Sequence, residues 1–217
     1  MLSADFFARD ACIVAKRLLG KVICVKHGDI WLQAQIIETE AYYLHEKGSH
    51  ASLGFTEKRK PLFMQAGTIY MYYARGGDSL NVSTKGEGNA VLIKSCVPYG
   101  DGKKMLQIMQ QLNPRKNSSM PREKMKLCAG QTLLCRSLGL KVPEWNGRQF
   151  DAQRFYFSDR QYTANKIVQT KRLGIPTGRD EHLFYRYIDF AYAQYCTHNP
   201  LLKRQGQKNR DYFLLQQ

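Results

Sequence analysis

Ile36-Ile37-Glu38-Thr39-Glu40-Ala41-Tyr42 ends an apolar run with two carboxylates one residue apart. The segment Ile30–Glu40 reads as a β-strand. In extended backbone alternate side chains share a face, so Glu38 and Glu40 point the same way. Like charges on one face repel, and a strand selected only for stability avoids them. Either both acids sit in water at a strand end, or one of them does chemistry. The neighbourhood favours chemistry: Tyr42 follows directly, then His50, then the tyrosines Tyr70, Tyr72 and Tyr73.

Upstream, Lys21–Lys26 is a strand that turns through His27-Gly28-Asp29 to pair with Ile30–Glu40. Asp5–Gly20 carries Phe7, Cys12, Val14, Leu18 and Leu19 at helical spacing, with Lys16 and Arg17 in its last turn and Gly20 past its end. Downstream, Tyr43–Pro61 is a polar loop holding His45 and His50 that can fold over the carboxylates. Thr68–Ala74 is strand-like, and Gly76-Gly77-Asp78 turns the chain. Leu80–Thr84 and Asn89–Val97 are strands around Lys85-Gly86-Glu87-Gly88. Gly102–Leu112 and Leu127–Leu138 are helical, separated by a basic loop at 113–126. Arg154–Phe157, Lys166–Gln169 and part of Leu183–Tyr195 are late strands. The tail, 201–217, is basic, with Tyr212–Leu215 able to dock on the body. Strands dominate and their joining turns are short, which predicts an α+β fold: a single domain over 1–217 with a mostly antiparallel sheet flanked by helices. Without βαβ alternation, a doubly wound parallel sheet is disfavoured.

The 217 residues carry 33 Lys+Arg against 18 Asp+Glu, a formal charge of +15. Arg115–Lys126, Lys166–Arg172 and Lys203–Arg210 concentrate the basic residues. Any one such cluster is ordinarily a solvated face. Three of them at this net charge favour a polyanion, nucleic acid first and an acidic membrane surface second. The cysteines lie apart, without Cys-x-x-Cys, which argues against zinc. Neither Gly-x-Gly-x-x-Gly nor a phosphate-binding loop is present, so no nucleotide cofactor is signalled. Asp5, Arg9 and Asp10 interrupt any secretory leader, and no apolar run reaches the length of a membrane span. A reduced, cytoplasmic protein is expected.

Glu38-Thr39-Glu40-Ala41-Tyr42, Ser49-His50-Ala51, Phe63-Met64, Ala66-Gly67-Thr68, Tyr70-Met71-Tyr72, Asn81-Val82 and Ala90-Val91-Leu92-Ile93-Lys94 resemble, in that order, the alkyladenine (3-methyladenine) DNA glycosylase family. Leu127-Cys128-Ala129-Gly130 and Arg172-Leu173-Gly174-Ile175 continue the resemblance. It runs from Phe6 to about Tyr187, and its specificity lies in the order and spacing of the motifs rather than in any one of them. The resemblance implies a monomeric base-excision repair enzyme with a curved antiparallel sheet. Such an enzyme flips a damaged purine out of duplex DNA and hydrolyses its N-glycosidic bond with water, using no metal or organic cofactor. It places Glu40 as general base, Lys94 beside the water and the Leu173 carbonyl as a further water contact. Tyr42 and Tyr72 would cover the two faces of the flipped base, with His50 and Asn81 at its edges. Positively charged alkylated purines gain from such rings through cation–π attraction. Deaminated adenine, hypoxanthine, is a further expected substrate, and in a bacterium the enzyme would work at the nucleoid.

The chain departs from the family pattern in three places. Family members have a tyrosine before Gly-Met that wedges into the duplex. Here Tyr72-Tyr73-Ala74-Arg75-Gly76-Gly77-Asp78 is one residue shorter, leaving Tyr73 or Arg75 as the wedge. Lys94 stands for an arginine, keeping the charge but losing the planar fork. Gly130-Gln131-Thr132-Leu133 lacks the usual proline and lysine. Two other functions stay open at this stage: a non-catalytic lesion-DNA-binding relative, and a module whose tyrosines stack single-stranded RNA.

Overall fold

Strand β1 (Val22–His27) turns through Gly28, at φ 56°, into the long strand β2 (Ile30–Tyr42). The structure is a computed structural model describing residues 1–74 and 76–216; Arg75, a candidate wedge, lies outside the described residues. The later strands are β3 (Ile69–Ala74), β4 (Gly77–Ser83), β5 (Ala90–Pro98), β6 (Phe155–Ser158), β7 (Lys166–Thr170), β8 (Arg186–Asp189) and β9 (Tyr212–Gln216). They hydrogen-bond in the order β3-β4-β5-β2-β8-β7-β9, with β1 joining β2 to β6. Every pairing is antiparallel, as the short turns predict.

On one edge, β2 exchanges partners along its length. Its first half pairs β1 as far as Gln35, and Glu38–Glu40 pair β8. On the other edge it pairs β5 from Ala34 to Tyr42, but the register slips: Ile36 faces Cys96, Glu38 faces Ser95 and Thr39 faces Ile93. Ile37 and Lys94 are thereby left without counterparts, a bulge on each strand. Ile36 packs in the main core, while Ile37 joins a second cluster with Val97, Val168 and Ile188. Beyond the bulge alternation resumes. The Thr39 hydroxyl donates to Ala15 O at 2.9 Å and Ala41 enters the main core, so Glu38, Glu40 and Tyr42 turn to the opposite face.

Helices α1 (Ala4–Phe7), α2 (Ala11–Leu18), α3 (Lys103–Leu112), α4 (Gln131–Ser137) and α5 (Val142–Trp145) supply the rest of the main core. Phe7, Val14, Leu18, Met109, Leu134 and Phe155 are buried there, each contributing about 1.5–3 kcal/mol. The single helix expected over Asp5–Gly20 is two. Asp10 Oδ1 accepts from the Cys12 and Ile13 amides at 2.9 and 3.2 Å and caps a new start. The helix expected from Leu127 begins at Gln131, because Gly130 at φ 107° breaks the preceding segment. Gly77, expected in a turn, opens β4. A Cβ there would stand 2.8 Å from Thr132 Cβ, so the glycine lets the β3–β4 hairpin press against α4. The tail docks as expected, with Tyr212–Gln216 pairing β7 along its length.

Glu38 is fully buried and belongs to this framework. Arg186 Nε lies 2.7 Å from its Oε1, and it accepts from Ser95 Oγ (2.5 Å), Thr197 N (2.9 Å) and Thr197 Oγ1 (2.6 Å). Removing one member of such a pair strands a buried charge. Glu38→Ala is expected to lose about 3–5 kcal/mol in urea unfolding. A midpoint equal to that of the parent would show that the pair contributes nothing to holding β8.

Candidate active site

On the face of β2 turned away from the helices lies a cavity of about 330 Å³. The sheet contributes Tyr42, Tyr70, Tyr72, Asn81, Leu92 and Lys94, while loops around Gly48–Leu53 and Leu173–Arg179 close over them. The bulge explains how β5 serves both acids. Leu92 faces the cavity and Ile93 the main core, and the slip then aims consecutive residues at the acidic face. Lys94 reaches Glu40 and Ser95 reaches Glu38. The two like charges on one face are therefore tolerated because each has its own cation.

Glu40 has no exposed surface and sits directly behind the wall. The Tyr42 hydroxyl donates to Oε2 at 2.7 Å. Lys94 Nζ stands 3.3 Å from Oε1, and the Leu173 N–H points at Oε1 from 3.4 Å. Burial pushes this carboxyl up, but Lys94, then Arg186 and the Tyr42 hydroxyl, outweigh it, and the net shift is below the ordinary 4.5. The group is a buried, ionised carboxylate beside an aromatic slot. The Tyr42 phenol moves the other way, well above its ordinary range, through burial and the adjacent Glu40 charge, and stays a donor.

Tyr70 and Tyr72 share a face of β3 by alternation. Tyr73 takes the other face and is 70% exposed near the end of the β3–β4 hairpin, so it does not line the cavity. The His50 ring packs edge-on to Tyr72 at 4.4 Å between centroids, and its Nδ1 is 3.0 Å from the Tyr70 hydroxyl. Partial burial, then Arg59 and Arg179, lower the His50 pKa from 6.5, so the imidazole is neutral at neutral pH. With Nδ1 engaged by Tyr70, Nε2 is the nitrogen left for a ligand. Asn81 is nearly buried, its Nδ2 donating to Tyr70 O at 3.2 Å. The residues expected at the site thus gather around one hollow: Tyr42, His50, Tyr72, Asn81, Lys94 and Leu173 on its wall, and Glu40 behind it.

Residues beyond that expectation also build the site. Tyr70, two residues from Tyr72, carries its signal in the period of a strand. Gln131 lines the cavity with its Nε2 donating to Ser79 Oγ at 2.9 Å. Arg172 ends a basic run read from sequence as a polyanion surface, yet its side chain is 1% exposed and pairs with the equally buried Glu46. Among the described residues no three His, Cys, Asp or Glu side chains group as a metal site, and no helix is long and apolar enough to cross a membrane.

A family model described as methylpurine-DNA glycosylase matches residues 5–192. The chain is 58% identical over 220 residues to a Pseudomonas syringae pv. tomato protein, covering 100% of this chain and 97% of that one. A Pseudomonas aeruginosa protein is 60% identical over 218 residues, covering 99% and 90%. A Clostridium beijerinckii protein is 31% identical over 211 residues, covering 94% and 99%. All three bear the name "Putative 3-methyladenine DNA glycosylase".

Proposed function

Because this chain belongs to the methylpurine-DNA glycosylase family, we propose that it turns a damaged purine out of duplex DNA into the aromatic cavity, where Glu40 activates the water that cleaves the N-glycosidic bond. Membership itself makes it a DNA glycosylase, an enzyme of DNA repair. The steps within the cavity rest on chemistry.

The bond from sugar C1′ to the purine nitrogen breaks with its electron pair leaving on the base. The sugar passes through an oxocarbenium-like state, the water oxygen bonds to C1′, and a water proton moves to Glu40. Lys94 keeps Glu40 ionised and orients the water, and the Leu173 carbonyl is its further contact. Tyr42 and Tyr72 stack on the two faces of the base, replacing the stacking lost from the duplex, roughly 1–3 kcal/mol per base. Neutral His50 offers Nε2–H to an acceptor on the base edge, and Asn81 screens the base at the pocket end. Exposed Tyr73, or Arg75, fills the gap in the duplex. Alkylated purines are the main substrates, with hypoxanthine a further one. The enzyme acts as a monomer on chromosomal DNA in the cytoplasm, without metal or organic cofactor.

The observation that carries this reading is a fully buried carboxylate kept ionised by Lys94 at the back of a cavity walled by Tyr42, Tyr70 and Tyr72. Its volume lies at the lower end of the roughly 300–1,000 Å³ typical of small-ligand sites. Single-turnover assays on duplexes carrying 3-methyladenine, 7-methylguanine or hypoxanthine test it. Release of the alkylated bases is expected. Lesion binding without release of any base would leave a recognition protein. Tighter binding to single-stranded RNA than to lesion duplex at matched salt would favour the RNA module.

A further inference from the structure

We propose that Arg172 is a positioning residue for Tyr42: its buried guanidinium sets the plane that stacks on the base and the aim of the hydroxyl that holds Glu40. The proposal rests on the reading of Glu40 as the base.

A buried cation is costly unless several groups compensate it. Here they converge on one short segment. Arg172 Nη1 donates to Ala41 O, the carbonyl just before Tyr42, at 2.9 Å, and lies 2.5 Å from Glu46 Oε2. The guanidinium carbon stands 4.5 Å from the Tyr42 ring centroid and 5.6 Å from that of Tyr185. Its Nε and Nη2 are buried with no hydrogen-bond partner among the described residues. An arginine serving only as an ion-pair anchor would normally use its fork of donors on oxygen. This one lies within cation–π range of two aromatic rings, Tyr42 and Tyr185. The next residue, Leu173, presents its N–H to Glu40. Arg172 therefore braces Tyr42 by side chain and backbone carbonyl, and its own peptide continues into a second contact on the carboxylate. Glu40 itself faces Lys94 from β5, Arg186 from β8 and Tyr42 from β2. Arg172 faces Glu46, Tyr42 and Tyr185.

The test is a double-mutant cycle. Combining Arg172→Met with Glu46→Gln removes the buried pair together and strands neither charge. Single-turnover excision, lesion-duplex affinity and the acid limb of the pH–rate profile are measured with Tyr42 intact and with Tyr42→Phe. With Tyr42 intact the paired change is expected to slow excision roughly tenfold, with less loss of affinity, and to move the acid limb upward as the hydroxyl loses its hold on Glu40. With Tyr42→Phe the same change is expected to add less than about threefold and leave the limb where Phe put it. Equal losses in both backgrounds, or an unmoved acid limb with Tyr42 intact, would overturn the proposal and leave Arg172 a structural anchor. Arg172→Lys keeps the ion pair and the charge but not the flat fork. If the paired variant fails to melt cooperatively, Arg172→Lys carries the cycle with the same outcomes. A Glu40→Gln protein excising at the parental rate would instead sink the base assignment, whatever the cycle shows.

Discussion

Exchanging Glu40 for glutamine is expected to slow base release roughly 10²–10⁴-fold, while affinity for a lesion duplex stays close to that of the parent. The amide keeps the shape, and its one oxygen can still accept at the place of Oε2 from the Tyr42 hydroxyl or at the place of Oε1 from the Leu173 N–H. It loses the one property the proposed mechanism needs, the capacity to take a proton from water. The contrast with Glu38 sharpens the expectation. That acid has the same strand, the same face and the same charge, but Arg186, Ser95 and Thr197 occupy its oxygens, and its removal should register in stability. Unchanged single-turnover excision in Glu40→Gln would take the carboxylate out of the mechanism.

The second large effect concerns Lys94. Burial drives the Glu40 pKa up, and Lys94 is the strongest opposing influence, ahead of Arg186 and Tyr42. With Lys94 present the balance falls below 4.5, so the carboxylate is ionised at neutral pH, and on the proposed mechanism activity is expected to be lost only as pH drops below that value. The same depression contributes folding stability above the unfolded pKa, lost as pH falls through the folded one. In Lys94→Met the burial is less opposed, so the acid limb of the excision profile should move toward neutrality. Below the new pKa the rate falls about tenfold for each unit of upward shift. Substrate affinity should change less. Superimposable acid limbs for variant and parent would separate Lys94 from Glu40 function.

How much of this could be read from the chain depends on the distance over which each feature is decided. The placement of Glu38 and Glu40 on one face needs only strand alternation, and so does the division of Tyr70 and Tyr72 from Tyr73. The loop holding His50 was visible from its composition and its place after the acids. The motif order supplied Lys94 and Leu173, which alternation alone could not have brought to Glu40. What decides the different fates of the two acids is not local. Glu38 is satisfied from β8 and Thr197, far along the chain, and a slipped register on β5 turns two consecutive residues toward the same face. Arg172 escaped for a related reason. A cation in a basic run looks like surface until its counter-ion, Glu46, is seen to come from the segment after β2 and its aromatic cover from Tyr42 at the end of β2 and Tyr185 just before β8. The break at Asp10 is hidden in the sequence because helical spacing in Asp5–Gly20 continues across a residue that caps a new helix.

Seating Glu40 behind Tyr42, Lys94 and Leu173 also restricts which molecules can attack. On the proposed mechanism the incoming oxygen must approach a carboxylate already flanked by the Tyr42 hydroxyl, the Lys94 ammonium and the Leu173 N–H, an arrangement that favours a molecule as small as water. On that mechanism the freed sugar ends as a plain abasic hemiacetal rather than joined to some other alcohol.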